Sequence, residues 1–534
     1  MRITALTIEN FKGISEPVRI EFKPITLLFG PNSAGKSTVI QALHYMREIL
    51  ERNNVDPDKC IGADESIDLG GFENLVHNHD LERCIRLKCE VQSDDIEFPE
   101  YKAVLKEGPS YRTEIVNYWG TSANTIWVEI EVKWNEVLKR PLVSNYATGF
   151  NGHQFARITR NEDGERIKLA FLNLQHPELG SYFISLCDEI MKGKNNTKDI
   201  PGEYILEGLD SVIPKWGKSL TLSSDYYDEA YYLAEEEDEQ TEGNKQYERV
   251  RQHYESIAEF EGTYLSPLIV GPGEVLLNLL KIGRYIGPIR KIPPRGYAPV
   301  RYEDESRWAS GLAAWDLLYK ADASLLSDTY YWLLDRLNTG YSVYMRRYKK
   351  LDTTGDLYRS LVGKGSKWDA SMGQLIEQLP EERQLVLFDE RRGLEILPQD
   401  VGIGISQILP VVVASLDEGT GILMVEQPEL HIHPGLQVSL ADLFISQIQD
   451  ASKTFIIETH SEHLLLRLLR RIRETNDDQL PEGIDGLTPE QLSINYIDWF
   501  DGGLRVKRLE VSPDGDSLGP WPKGFFEERA GELF

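Results

Sequence analysis

The chain has 534 residues and a formal net charge of −28 at pH 7. A composition of 41% hydrophobic, 27% charged and 10% aromatic residues is typical of a globular protein with a large core. A surface built to hold nucleic acid is expected to be basic, so this acidic balance leaves only a local patch for such contacts. The length indicates roughly three or four domains, or a single domain split by insertions.

The N-terminus alternates apolar and polar residues and lacks the continuous apolar core of a signal peptide. Nowhere does the sequence approach the roughly 18 consecutive apolar residues of a membrane span. The four cysteines have neither the paired spacing of metal ligands nor the density of a disulfide framework. We therefore expect a cytoplasmic protein with reduced thiols and no membrane partner.

The first segment, residues 1–186, is predicted to be a β-rich lobe. Three short strands open it, and the third, Ile25 to Gly30, leads through a tight loop into a helix with apolar residues at helical spacing. Residues 187–262 differ because they are helix-compatible, weakly apolar and contain the acidic block Glu235 to Glu239. We interpret them as a solvated, mostly helical insertion; a docking surface for a basic partner is the alternative.

Residues 263–380 begin with a Pro- and Gly-rich connector, predicted to be extended, and continue with helical patterns. Residues 381–475 have the patterns of a hairpin, a helix, a strand, a helix, a strand and a basic helix. Residues 476–534 are predicted to form a small extension with a β-hairpin around Asp501 to Gly503. Alternating strands and helices predict an α/β fold in which helices flank a parallel sheet.

The loop GPNSAGKST has the phosphate-loop pattern of a Gly, four residues, Gly-Lys and Ser or Thr. Its glycines let backbone amides face phosphate oxygens, Lys36 reaches the terminal phosphates, and the Ser37 hydroxyl binds Mg²⁺. The N-terminus of the following helix adds a partial positive charge. The predicted nucleotide-binding residues are Gly30, Pro31, Asn32, Ser33, Ala34, Gly35, Lys36, Ser37 and Thr38.

Two later strands end in polar groups. Ile422 to Val425 is followed by Glu426, an arrangement that places a carboxylate beside magnesium at the end of a buried parallel strand. Thr454 to Ile457 is followed by Glu-Thr-His-Ser, which puts His460 in a position to sense the third phosphate. Upstream, Gly402 to Gln407 opens a helix with two glycines and a serine, a further candidate anion site.

This order of phosphate loop, glycine-containing helix, carboxylate and histidine resembles the ABC class of ATPases. The sequences IENFKGI, EQPELHIHP and ETHSEHL look like the branch that contains RecF, the SMC proteins and the overcoming-lysogenization-defect ATPases. DVGIGISQILP, YIGPIR and WPKGFFEE are similar to a bacterial subfamily of ATPases with a short C-terminal domain of unassigned role. The resemblance covers both ends of the chain and the connector, but not residues 195–260.

The resemblance implies an ABC-type ATPase head that binds ATP and Mg²⁺. Lys36, Ser37 and Glu426 then act within one chain, with Ser37 and Glu426 on the metal, and His460 senses the γ-phosphate.

The resemblance also implies a head-to-tail homodimer with ATP held between the two chains. Gly404 and Ser406 then approach the nucleotide from the partner chain, although the usual Leu-Ser-Gly-Gly order is absent and Gly402 occupies the position of the family serine. Arg290 in the connector is a weaker candidate for a phosphate contact across the dimer.

Gln427 follows Glu426 at the position where an ATPase of this class usually has the carboxylate that activates water. An amide is not a general base near neutral pH, but it can orient a water molecule. Hydrolysis is therefore expected to be slow, which favours a long-lived ATP-bound dimer. Glu429 offers a second route if the turn at Pro428 brings its carboxylate back to the nucleotide; a solvated turn carboxylate is the alternative.

The remaining polar clusters are weaker candidates. His77 to Asp80, and the pair His431 and His433, lack an obvious third ligand for a transition metal. Two basic stretches, Tyr344 to Lys350 and the arginines within 467–473, have the composition of a nucleic-acid surface. In so acidic a chain we interpret both mainly as partners of nearby acids.

We therefore expect an ATP-gated molecular switch, a homodimer or higher homo-oligomer that controls a separate effector such as a nuclease or toxin. Bacterial anti-phage defence is the setting that the resemblance implies. The alternative is a RecF-like DNA-binding ATPase in DNA repair or processing. The acidic surface and the short stretch after His460, too short for a Toprim nuclease domain, favour the switch.

Overall fold

A computed structural model describes residues 1–52, 69–101, 123–161, 166–173, 175–179, 204–206, 208–223, 265–300, 305–362, 370–419, 421–449, 453–500 and 503–521. Three sheets organise these residues: one with nine strands, one with six and one with three. The six-stranded sheet contains the predicted phosphate loop and both predicted strand-end sites.

The nine-stranded sheet is antiparallel throughout, with the order β10-β9-β8-β7-β6-β5-β4-β1-β2. Most of its strands alternate buried and partly exposed residues, because one face packs on the core. Its strands are β1 (Arg2–Glu9), β2 (Val18–Glu21), β4 (Ile85–Ile96), β5 (Ala123–Asn135), β6 (Arg140–Phe150), β7 (His153–Arg160), β8 (Ile167–Leu172), β9 (Tyr204–Leu206) and β10 (Leu222–Ser223).

The last two strands, β9 and β10, lie within residues 187–262, the segment predicted to be a mostly helical insertion. Tyr204–Leu206 pairs with β8, and Leu222–Ser223 pairs in turn with β9, so this part of residues 187–262 extends the antiparallel sheet. Pairing at the edge of the sheet satisfies backbone N–H and C=O groups of these short segments, although their sequence has a weak helical pattern. The acidic block itself lies outside the described residues.

The six-stranded sheet has the order β11-β15-β16-β3-β17-β18. Its first five strands run parallel and β18 pairs antiparallel with β17. The strands are β3 (Ile25–Phe29), β11 (Gly283–Ile286), β15 (Ile422–Glu426), β16 (Thr454–Glu458), β17 (Leu492–Phe500) and β18 (Gly503–Leu509). A separate antiparallel sheet contains β12 (Tyr341–Lys349), β13 (Glu381–Asp389) and β14 (Leu394–Ile396).

The central strands are buried on both faces, and each face belongs to a different core. In β15, Ile422 and Met424 face the core beneath the nine-stranded sheet, whereas Leu423 and Val425 face the core beneath the C-terminal helices. This burial explains the uninterrupted apolar runs of β3, β15 and β16. The parallel sheet between two cores confirms the predicted α/β class.

The helices flank these sheets and include several predicted from apolar spacing. They are α1 (Ser37–Arg52), α2 (Phe72–Leu75), α3 (Ser266–Ile269), α4 (Gly271–Lys281), α5 (Leu312–Lys320), α6 (Ala323–Tyr331), α7 (Asp356–Val362), α8 (Ala370–Gln378), α9 (Ile403–Leu416), α10 (Pro434–Ser446) and α11 (Glu462–Asn476). None of the helices in the described part of the chain is long and apolar enough to cross a membrane.

Three strands of the six-stranded sheet, β11, β17 and β18, come from segments predicted to lie apart from it. Gly283–Ile286, at the start of the connector, pairs in parallel with β15. The C-terminal hairpin forms as predicted, but its first strand pairs in parallel with β3. It is therefore part of the main sheet rather than a separate extension. Which strands become neighbours depends on long-range pairing, which local sequence patterns do not specify.

Candidate functional site

The phosphate loop, Glu426 and His460 lie at the carboxyl ends of β3, β15 and β16, which are adjacent parallel strands. β16 lies between the other two, and its last residue, Glu458, is in register with Glu426. Parallel strands direct their carboxyl ends to one edge of the sheet, where ligands bind in open α/β folds. The phosphate loop follows β3 directly and leads into α1.

Two positions of the phosphate loop require glycine, because atoms of the C-terminal hairpin leave no room for a Cβ atom there. Gly30 has a φ of 150°, and a Cβ atom there would lie 2.0 Å from the carbonyl oxygen of Ile497 in β17. Gly35 has a φ of 86°, and its Cβ would lie 2.2 Å from Leu504 in β18. The C-terminal hairpin therefore packs directly against the loop that the phosphates are predicted to occupy.

Within this loop, Lys36 is held by backbone oxygens. Its Nζ donates to the carbonyls of Pro31, at 2.7 Å, and Gly30, at 3.2 Å. Burial lowers the pKa of Lys36, and nearby carboxylates, of which Glu458 has the largest effect, oppose the shift. Pro31, Asn32 and Ser33 are exposed, whereas Ala34 and Thr38 are buried.

The Ser37 hydroxyl donates a 2.6 Å hydrogen bond to Oε2 of Glu458. Oε1 of the same carboxylate lies 4.0 Å from Lys36 Nζ. Glu426 accepts a 2.9 Å hydrogen bond from the hydroxyl of Tyr285 in β11. Both carboxylates are buried: Glu426 is 8% exposed and Glu458 is 5% exposed.

This pair of carboxylates is electrostatically unfavourable without a cation. Burial, followed by repulsion from Glu458, raises the pKa of Glu426 to about 7, and hydrogen bonds from Tyr285 and Ser37 oppose the rise. Burial also raises the pKa of Glu458. One hydroxyl and two carboxylates offer hard oxygen ligands, and Mg²⁺ typically uses one or two carboxylates together with substrate phosphates. The residues therefore fit a magnesium ion.

Gln427 forms a sharp turn directly after Glu426. Its φ is 44°, its amide N–H donates to the Glu458 carbonyl at 2.7 Å, and its own carbonyl accepts from Leu430 N at 3.1 Å. The turn returns the chain toward β16, so that Oε1 of Glu429 accepts a 2.7 Å hydrogen bond from the backbone N–H of His460. The structure thus brings Glu429 back to the end of β16 rather than leaving it solvated.

Two polar atoms at this turn lack hydrogen bonds. Oε2 of Glu429 and Nε2 of His460 are both buried, and neither has a partner among the described residues. Burial raises the pKa of Glu429 and lowers that of His460, and the charge on Lys36 contributes to the shift of His460. A polar ligand or a water molecule between these groups and Lys36 would satisfy both atoms.

The start of α9 corrects one predicted contact. Ser406 is 0% exposed and its hydroxyl donates to the Ile403 carbonyl at 2.8 Å, so this side chain does not face a partner chain. The exposed groups are Gly402, which is the N-cap, and Ile403, with Gly404 partly exposed.

Arg290 is also buried rather than extended toward a partner, with 2% exposure. Its guanidinium donates to the carbonyls of Glu426, at 2.7 Å, and Gln427, at 3.2 Å. Its backbone N–H donates to the side chain of Gln407 in α9, at 3.2 Å. It therefore joins the connector, the end of β15 and α9.

The weaker candidate sites have structural explanations. Nδ1 of His433 accepts from Gly435 N at the start of α10, and Nδ1 of His77 contacts the Lys12 carbonyl. No group of three or more His, Cys, Asp or Glu side chains placed to hold a metal ion occurs in the residues that the structure describes. The basic stretches pair with local acids through Arg346–Glu395, Lys350–Glu382, Arg467–Asp442, Arg471–Asp442 and Arg470–Glu474.

Sequence reasoning missed Glu458 and Tyr285. Glu458 had a readable signal, because it closes an apolar strand as Glu426 does. Tyr285 had no such signal, because its role depends on the pairing of β11 with β15.

Two protein families match separate parts of the chain. Residues 1–200 match the family described as "AAA ATPase domain". Residues 293–467 match the family described as "AAA domain, putative AbiEii toxin, Type IV TA system". Together these matches include the phosphate loop, Glu426 and His460.

The chain is also similar to curated proteins named "DNA replication and repair protein RecF". The protein from Shewanella baltica (strain OS185) is 25% identical over 225 residues, covering 38% of this chain and 59% of the relative. The protein from Prosthecochloris aestuarii (strain DSM 271 / SK 413) is 33% identical over 61 residues, covering 11% of this chain and 16% of the relative. The chain thus spans at most 59% of the length of these relatives.

Solved structures of SMC heads align with most of the chain at low TM-scores. The SMC head domain from Thermotoga maritima has a TM-score of 0.35 at 9% identity and covers 96% of this chain and 100% of its own. The Smc head domain bound to the C-terminal domain of ScpA from Pyrococcus furiosus has a TM-score of 0.36 at 11% identity, with 95% and 96% covered.

Proposed function

We propose, from the premise that this chain is a P-loop ATPase of the RecF/SMC-like ABC class, that it binds Mg-ATP, hydrolyses it slowly and acts as a dimeric switch for a partner protein. The observation that carries the proposal is the cluster of Lys36, Ser37, Glu426 and Glu458 at the ends of three adjacent parallel strands. Such a cluster places a cation, a hydroxyl and two carboxylates around a loop of phosphate-binding geometry.

Nucleotide binding uses groups that are already positioned. Lys36 exchanges its bonds to the Pro31 and Gly30 carbonyls for the terminal phosphates, while the loop amides and the N-terminus of α1 face the phosphate oxygens. Ser37 and Glu426 hold Mg²⁺, which supplies positive charge to the transferring phosphoryl group. Burial of the cluster strengthens each of these electrostatic contacts.

Slow hydrolysis follows from the groups at the end of β15. Gln427 orients water without accepting its proton, and Glu429 is the carboxylate beside it. The unpartnered Oε2 of Glu429 and Nε2 of His460 support a role for both residues around the third phosphate and the attacking water. Slow hydrolysis makes the ATP-bound state long-lived, which suits a switch better than a motor.

The switch function requires a second chain. The exposed amides at the start of α9, around Gly402 and Gly404, carry the partial positive charge of a helix N-terminus. We propose that these amides contact the ATP bound by a partner chain. ATP then holds two chains together as a head-to-tail homodimer. We further propose that the closed dimer controls an effector, a nuclease or toxin, in defence against phage; the wording of the second matched family supports a toxin-associated setting.

ATP binding and hydrolysis by the purified chain test the first step. Lys36→Ala removes a charge-assisted contact of about 1.5–3 kcal/mol and is expected to weaken ATP binding at least tenfold and to abolish turnover. Lys453→Ala is the matched control, because Lys453 is another buried lysine whose Nζ binds the Ser415 carbonyl and Gln447 at the opposite end of β16. Equal ATP affinity in Lys36→Ala and the wild type contradicts the proposal.

A RecF-like DNA-binding ATPase is the second candidate, favoured by the RecF relatives. The pairing of the basic stretches with local acids disfavours it. Tight binding of duplex DNA with a steep dependence on salt concentration would support the second candidate over the first.

A further inference from the structure

The part of the site proposed to bind Mg²⁺ contains a carboxylate, that of Glu458, which was not predicted from the sequence. Ser37 and Glu426 are the two groups assigned to Mg²⁺ above, yet the carboxylate in hydrogen-bond contact with Ser37 is that of Glu458, at 2.6 Å. Glu458 belongs to β16, which lies between the strand that precedes the phosphate loop and the strand that ends in Glu426. The Glu458 side chain therefore lies between the phosphate loop and Glu426.

We propose that Glu458 is a second carboxylate ligand of the magnesium ion, and that the site holds a divalent cation before the nucleotide arrives. The inference rests on the proposed function because it uses the same site. Ser37 contacts one oxygen of Glu458, and Lys36 lies 4.0 Å from the other, so a single carboxylate contacts the metal-binding hydroxyl and faces the phosphate-binding lysine.

The charges around the site support a cation that is already bound. Glu426 and Glu458 are paired in register and are both more than nine-tenths buried, so their charges repel each other with little solvent screening. Lys36, Lys12 and Arg290 are the cationic side chains near the pair, but the ammonium group of Lys36 is directed to two backbone carbonyls, and the guanidinium of Arg290 donates to the carbonyls of Glu426 and Gln427. A divalent ion neutralises both carboxylates, whereas a single carboxylate would leave the ion dependent on the phosphates of ATP.

A competing explanation is that Glu458 only occupies the loop in the absence of nucleotide and has to move away. The two explanations predict opposite effects of Glu458→Gln. A ligand role predicts weaker metal binding, whereas an occluding role predicts unchanged metal binding and tighter nucleotide binding. The amide oxygen of glutamine can still accept the Ser37 hydrogen bond, so the substitution changes the charge and largely preserves the geometry.

Mn²⁺ titration of the full chain, followed by electron paramagnetic resonance without nucleotide, tests the proposal. The wild type and the control Glu274→Gln are expected to bind one Mn²⁺ with equal affinity, since Glu274 contacts Tyr101 and Gly217 away from the loop. Glu458→Gln and Glu426→Gln are each expected to weaken Mn²⁺ binding at least about tenfold. Thermal unfolding provides a second readout: Mg²⁺ is expected to raise the Tm of the wild type but not that of Glu458→Gln.

The proposal is overturned if the wild type binds no Mn²⁺ without nucleotide, or if Glu458→Gln binds Mn²⁺ as tightly as the wild type. Failure of the proposed function is a separate outcome. The proposed function fails if, in EDTA and therefore without metal, Lys36→Ala binds ATP as tightly as the wild type.

Discussion

At the scale of single residues, Gln427 and Glu429 are the two candidates proposed for a task that usually falls to one carboxylate. The left-handed backbone of Gln427, with a φ of 44°, starts the turn that brings Glu429 against the backbone of His460. Gln427 is thus the first side chain after Glu426, and Glu429 is two residues further along. Orienting water is the role proposed for Gln427, and Glu429 offers a second route to proton acceptance.

Replacing Gln427 with glutamate is expected to raise the hydrolysis rate by about ten- to a hundredfold, because it supplies a proton acceptor where only a water-orienting amide exists. Single-turnover hydrolysis of ATP measures the effect separately from nucleotide release. Glu429→Gln is the companion variant and is expected to lower the rate less than tenfold. An unchanged rate in Gln427→Glu, combined with complete loss in Glu429→Gln, would assign the base to Glu429 instead.

The residues that could be predicted from the sequence are those specified by local patterns. Lys36 and Ser37 lie within one contiguous loop, and Glu426 follows an apolar strand of a recognisable kind. Ser406 was predicted to approach the nucleotide of a partner chain, but the helical phase of α9 places its side chain on the buried face of the helix. Tyr285 depends on a strand partner more than a hundred residues away along the chain, and no local pattern encodes it.

At the scale of elements, the connector joins α9 to the end of β15 through Arg290. Gln407 in α9 accepts from the backbone N–H of Arg290 and donates to its carbonyl, at 3.2 and 2.8 Å. The guanidinium of Arg290 binds the carbonyls that end β15. Helix α9 and the end of β15 are therefore connected through one buried arginine, which gives a physical route between the proposed nucleotide site and the proposed dimer surface.

Gln407→Met tests this connection, because it keeps the side-chain length but leaves the buried N–H and C=O of Arg290 without their partner. We expect the free energy of unfolding to fall by about 1–3 kcal/mol for each unsatisfied group. Urea unfolding followed by tryptophan fluorescence measures the change. Gln449→Met is the control, since it removes an amide from an exposed position at the end of α10 and is expected to cost less. Equal losses in both variants would contradict a specific role for Gln407.

Elements with strong apolar periodicity, such as α1, β15 and β16, could be predicted from the sequence. The neighbours of β9, β11 and β17 could not be predicted, because their sequence patterns indicate extended or helical chain without indicating a pairing partner. Their positions depend on long-range backbone pairing in a sheet assembled from both ends of the chain.

At the scale of the whole molecule, the proposed switch depends on ATP joining two chains through the N-terminus of α9. Gly402 suits a test of this geometry because it is the exposed N-cap, and a Cβ atom added there meets no other atom within 4 Å. Its φ of −59° and ψ of 143° are accessible to any residue. Aspartate and serine are both favoured N-caps, so neither substitution is expected to destabilise the helix.

Gly402→Asp places a negative charge where the γ-phosphate of a partner chain is proposed to lie, and electrostatic repulsion is expected to abolish the ATP-dependent dimer. Gly402→Ser is the matched control; it adds a hydroxyl donor without charge and is expected to retain or strengthen the dimer. Sedimentation with and without ATP measures the mass, and ATP binding by the monomer should remain equal in both variants. A Gly402→Asp chain that still dimerises with ATP would contradict the proposed geometry and place the partner contact elsewhere than at the start of α9.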